Sequence, residues 1–127
     1  MTIAKLPDGR IVLTLTLEEL AAMRQCLNEV CHGYEVPDFE KRIGAREDRV
    51  ALLLKQTSRH NPAKVETLVD GKYRVTFSAD EARVIANAMT ETLSGDGIGR
   101  DEYFARIGAY THEIEAVRSA ILSALSS

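Results

Sequence analysis

The chain has 127 residues, of which 45% are hydrophobic and 28% charged, and its formal net charge is −3. That balance describes a folded globular domain and excludes disordered, fibrous and collagen-like classes. No apolar run approaches the roughly 20 residues needed to span a bilayer, and the opening MTIAKLPDGR has neither the basic nor the apolar region of a signal peptide.

In chain order, the first signal is a hairpin. A Pro-Asp-Gly turn at residues 7–9 separates two β-rich runs, and Ile11, Leu13 and Leu15 alternate so as to face one side of a strand. Thr16 and Glu19 then form a capping box, in which hydroxyl and carboxylate satisfy each other's free amides at a helix start. Leu20, Met23, Leu27 and Val30 continue at helical spacing as a core-facing stripe. Gly33 is expected to end this helix in the left-handed conformation. A short helix over 38–43 should stop at Gly44, and a third should run over about 46–56. The polar segment 57–63 reads as a linker.

The second half says nearly the same thing again. At an offset of 62, Asp8, Gly9, Thr14, Glu19, Glu29 and Gly33 match Asp70, Gly71, Thr76, Glu81, Glu91 and Gly95. At an offset of 64, Arg42, Ile43, Gly44 and Ala45 match Arg106, Ile107, Gly108 and Ala109. The offset grows because YEVP (34–37) in the first half answers to the longer DGIGRD (96–101) in the second. An Asp-Gly hairpin turn, the alternation of Tyr73, Val75 and Phe77, a Ser78–Glu81 capping box and a stripe of Ala82, Ile85, Met89 and Leu93 complete the parallel. The second half's short and third helices are expected over 102–107 and about 111–125, with Gly95 and Gly108 as stops.

One single domain, 1–127, is therefore expected, made of two internal repeats (about 1–56 and 64–127). Its fold class is α+β: a tandem ββααα repeat with pseudo-twofold symmetry, whose two hairpins join as a four-stranded antiparallel sheet packed on one face against helices.

Catalytic signals are lacking. The chain contains no HExxH, GxSxG, phosphate-binding or dinucleotide fingerprint, so no enzyme activity and no cofactor are expected. Cys26, Cys31, His32, His60 and His112 lack zinc spacing, and no metal site is expected. Cys26 and Cys31 lie five apart on one helix, where their side chains diverge. They are expected as reduced, partly buried thiols, which suits the cytoplasm. Glu29 and Glu91, though matched, read as surface carboxylates.

Two binding functions remain. The corner around Gly44, with Phe39, Ile43, Val50 and Leu53, resembles a DNA-binding helix-turn-helix, with Arg46, Arg49 and Lys55 placed to meet phosphates in the segment 38–56. Charge argues against it. Residues 1–64 carry ten basic and nine acidic groups, net +1, and residues 65–127 carry six and ten, net −4. Nucleic acid is accordingly an unlikely partner.

The segment LEELAAMRQCLNEVCHGYEVPDFEKRIGA (17–45) resembles small bacterial immunity proteins of polymorphic-toxin systems, and residues 79–109 do so faintly. That resemblance implies a cytoplasmic inhibitor that neutralises a cognate toxin by direct protein–protein binding, and it carries over no functional residues. Placement of the interface follows instead from the unequal loops. Duplicated scaffolds diverge where function is carried, and both loops are flanked by carboxylates. The candidate protein-binding residues are Tyr34, Glu35, Asp38 and Glu40 in the first half, and Asp96, Asp101 and Glu102 in the second.

Overall fold

Two β-hairpins meet along their second strands in the computed structural model, which describes residues 1–94 and 97–127. The first pairs β1 (Thr2–Lys5) with β2 (Ile11–Leu15), and the second pairs β3 (Val65–Thr67) with β4 (Tyr73–Phe77). The hairpin turns are built alike. Leu6 and Leu68 amides donate to the carbonyls of Arg10 and Lys72, each at 2.8 Å. Gly9 and Gly71 take positive φ, 91° and 82°, which glycine tolerates without steric cost. Asp8 and Asp70 accept, through a carboxylate oxygen, the amide N–H two residues on, at 3.1 Å in both turns. The Asp-Gly pair is thus explained atom by atom.

Among the described residues the sheet has four antiparallel strands in the order β1-β2-β4-β3, with Leu13 opposite Val75 at its centre. Ile11, Leu13, Leu15, Val75 and Phe77 are buried on one face, and the alternate Val12, Thr14, Arg74 and Thr76 are not. The α+β class follows directly: helices cover the first face.

Helix α1 (Leu17–Asn28) starts at the expected capping box. The Thr16 amide donates to Glu19 at 2.8 Å and the Glu19 amide to Thr16 Oγ1 at 3.1 Å. Helix α4 (Ala79–Ser94) starts the same way, with Ser78 and Glu81 at 2.8 and 3.1 Å. After α1 come α2 (Phe39–Ile43) and α3 (Glu47–Gln56); after α4 come a 3-10 turn (Arg100–Glu102), α5 (Tyr103–Ile107) and α6 (Thr111–Ser126). Both halves therefore run strand, strand, long helix, short helix, third helix. Helix α6 packs along α4 and reaches β1 and β2, and α1 packs on α4. Leu20, Met23, Leu27, Ile85, Met89 and Ile121 are at most 2% exposed, each contributing roughly 1.5–3 kcal/mol of hydrophobic burial. Leu93, the last of the expected stripe, is partly buried.

Three local expectations need correction or bounding. Gly33 does not turn left-handed: α1 widens into a π-helical turn (Glu29–Gly33) and ends at extended Tyr34, φ −162°. Gly44 and Gly108 do stop their helices with φ of 97° and 86°. The polar segment after α3 is not wholly solvated, since Thr57 is buried and its hydroxyl donates to the Leu54 carbonyl at 2.9 Å. Gly95, expected as a helix stop, lies outside the described residues. Among the described residues no helix is long and apolar enough to cross a membrane.

Candidate protein-binding surface

The two unequal loops meet. Glycine at 97 lets the Tyr34 ring lie directly on the backbone, where any Cβ would collide with it. Burial, first, and then the charges of Glu91 and Glu29 push the Tyr34 phenol up to about 12. Its hydroxyl is buried without a hydrogen-bond partner among the described residues. Tyr34 is thus half-buried and part of the joint between the halves.

Around that joint stand the two matched glutamates, and here the sequence-based expectation fails. Glu29 and Glu91 are buried, 5% and 7% exposed, not surface groups. A carboxylate in that position needs a compensating charge. Each finds it in the arginine that opens RIGA in the other half. Arg42 reaches Glu91 Oε1 at 2.7 Å. Arg106 reaches Glu29 through Nη2, and through Nε at 3.3 Å. Gln25 donates to the same Glu29 carboxylate at 3.2 Å, and Arg106 also donates to the Gly97 carbonyl at 3.2 Å. The hydrogen bond to Glu29 raises the Arg106 pKa further. Glycine at position 33 serves this arrangement, because a side chain there would strike the Glu29 carboxylate.

A buried polar chain backs the joint. Cys26 Sγ lies 3.8 Å from Thr92 Oγ1, which is 2.9 Å from the Tyr103 hydroxyl. Burial raises the thiols of Cys26 and Cys31 to about 11 each, and both are free. They are more deeply buried than expected, at 0% and 8% exposure.

The acids predicted for binding lie outside this frame. Glu35, Asp38, Glu40, Asp101 and Glu102 are exposed; Asp96 lies outside the described residues. Glu35 shares with Tyr34, Arg42, Glu91 and Gly97 a cleft of about 340 Å³. Glu102, beside the joint, adds to the field that holds Arg106 charged. Asp38 precedes α2 with a left-handed backbone, φ 49°, and makes no side-chain cap. It is therefore not there to cap the helix by hydrogen bonding. Glu40 points elsewhere, into a separate groove of about 600 Å³ that it shares with Arg46, Arg49 and Arg83.

That groove holds Arg46 and Arg49, two of the three cations expected to meet phosphates. Arg46 is paired with Asp48 at 3.2 Å, and Glu47 and Asp48 are exposed on the same first turn of α3. Among the described residues no three His, Cys, Asp or Glu side chains are grouped to hold a metal.

Sequence reasoning missed Arg42 and Arg106 as partners of the glutamates. The signal was present: an arginine and a glutamate repeated together, of opposite charge, in both halves. Comparison of the chain with known protein families, with curated proteins and with solved structures finds no match.

Proposed function

We propose that this protein is a non-enzymatic protein-binding module, an immunity-type inhibitor that neutralises a cognate bacterial toxin by direct binding. The observation that carries it is the joint. Two divergent loops are mated through Tyr34 and Gly97 and braced by two ion pairs whose carboxylates are buried, while Glu35, Asp38, Asp101 and Glu102 project from them into water. A rigid frame that presents carboxylates suits tight association with a basic partner, because little ordering is lost on binding and opposite charge steers the encounter. The net charge of −3 and the resemblance of residues 17–45 to immunity proteins support the same function. We read the two halves as copies of one unit, in which the frame was kept and the loops diverged.

Affinity capture from the native host, or co-expression with the product of the adjacent gene, tests this function. The expected result is a one-to-one complex. Changing Glu35, Asp101 and Glu102 to lysine, and Asp38 to asparagine so as not to strain its left-handed backbone, should leave the fold intact and slow association at least about tenfold. A folded variant that binds as fast as the original protein overturns the acidic site. A chain that captures no protein partner, and instead acts on a small substrate, overturns the function.

A further inference from the structure

The two corners that follow the short helices share a backbone and differ in what they show to water. Gly44 and Gly108 are both left-handed, and the residue before each third helix is extended: Arg46 at φ −68°, ψ 153°, and Tyr110 at φ −75°, ψ 156°. An offset of 64 places Glu40, Arg46 and Asp48 over Phe104, Tyr110 and His112. The first corner is charged, with Arg46 paired to Asp48. The second is a ladder of rings. Phe104 and Tyr110 have centroids 4.5 Å apart at 32°, and Tyr110 and His112 stack at 5.8 Å and 9°.

Stacking does not hide the rings. Phe104 is 50% and Tyr110 55% exposed, and His112 is exposed as well. Folding does not require aromatic groups here, because the first corner keeps the same backbone with three charged side chains. Exposed aromatic surface of this kind marks an interaction site.

We propose that this ladder docks an arginine-bearing segment of a protein partner. The proposal rests on the protein-binding function above and names part of the chemistry the partner must have. A guanidinium is planar and weakly hydrated, and it stacks on aromatic faces, where the ring quadrupole attracts it. Charge around the ladder matches. Asp101 and Glu102 immediately precede α5, and Glu113 and Glu115 lie on the first turns of α6; all four are exposed. The Glu113 carboxylate accepts from the Tyr110 amide at 2.9 Å, so an acid stands beside the ring. Of the nearby cations, Arg106 is held by Glu29, Arg118 faces Thr90 at 3.2 Å and Glu115 at 3.8 Å, and Arg100 is exposed on the turn before α5, one cation against the four carboxylates. Lysine would satisfy the carboxylates without the stacking. A nucleobase would stack, but its phosphates would meet the carboxylates.

Titrating nona-arginine, nona-lysine and decathymidylate into the isotope-labelled full chain, with the backbone amide resonances of residues 102–115 as readout, tests the proposal. Nona-arginine is expected to bind about fivefold tighter than nona-lysine, the stacking contribution. The variant Phe104→Glu/Tyr110→Arg/His112→Asp, which carries the first corner's side chains and is one charge more negative, should lose that fivefold preference for arginine over lysine, because the stacking is gone while the attraction of unlike charge remains. The single variants Phe104→Ala and Tyr110→Ala are read the same way if the triple variant fails to fold. Equal affinity of the original protein for the two peptides, an undiminished preference for arginine in the variants, or preference for decathymidylate overturns the proposal. A captured partner that binds the ladder variant normally also sinks the ladder, yet leaves the protein-binding function standing.

Discussion

Arg42 and Glu91 meet at 2.7 Å across the joint between the halves, and the pair is lopsided: the arginine side chain is 41% exposed and the glutamate 8%. Arg106 and Glu29 repeat the arrangement with the halves exchanged, at 29% and 6%. Breaking such a pair costs most when a buried charge is left behind. Removing Arg42 leaves the Glu91 carboxylate buried and unpaired, whereas removing the Glu91 charge lets Arg42 swing into water. Arg42→Met is therefore expected to cost about 2–4 kcal/mol, and Glu91→Gln only about 1 kcal/mol. Urea denaturation of the two variants measures the difference. The opposite order would show that the carboxylate is better solvated than its burial implies.

Gly33 makes a second prediction, because its role is steric. A methyl group at this position meets the Glu29 carboxylate, which Gln25 and Arg106 hold in place. Gly33→Ala should destabilise by about 1–3 kcal/mol, as overpacking does. In a Glu29→Ala background the collision disappears, and the same substitution should cost far less. A double-mutant cycle reads the coupling directly. Additive effects would return Gly33 to a purely conformational role.

Stability should fall on the alkaline side. Cys26 and Cys31 have folded pKa values raised to about 11 from the usual 9.0, burial being the leading cause. A raised folded pKa stabilises fully below the unfolded value and is lost as pH rises through the folded one. The window is thus pH 9 to 11, and Cys26 alone contributes roughly 2–3 kcal/mol across it, at about 1.4 kcal/mol per unit. Tyr34, raised to about 12, extends the loss to higher pH. The thermal midpoint should drop by several degrees between pH 9 and 11, and less so in Cys26→Ala. At pH 8 both thiols should react with Ellman's reagent about a hundredfold more slowly in the native chain than in the unfolded one, because so little thiolate is present.

Helix α3 supplies a fourth test. Its first turn carries Glu47 and Asp48 beside Arg46 and Arg49, so approach of a phosphate backbone brings repulsion with attraction. A gel shift with duplex DNA at physiological salt should show no specific complex. Nanomolar, salt-sensitive binding that Arg46→Glu with Arg49→Glu abolishes would establish the helix-turn-helix function instead.

Which features were legible beforehand follows from the range of the interactions that create them. The hairpin turns, the two capping boxes, the alternating strands and the αL stops at Gly44 and Gly108 each depend on hydrogen bonds or sterics within a few residues. The local string Asp-Gly, or Thr16 with Glu19, therefore specifies them wherever it occurs, and the α+β layout was readable from their order. The reach of Arg106 to Glu29 spans 77 positions, and no local pattern encodes a partner at that distance. Only the packing of α1 on α4 decided that two matched glutamates would be buried and that the arginines of RIGA would cross over to neutralise them. The same packing decided why residue 33 is glycine: a carboxylate, and not a backbone angle, occupies the space. The sequence by itself determined the elements and their order, through local hydrogen bonding and periodic burial. The tertiary structure alone decided their electrostatic pairing and the surface they leave exposed, because burial of a charge is a property of distant neighbours.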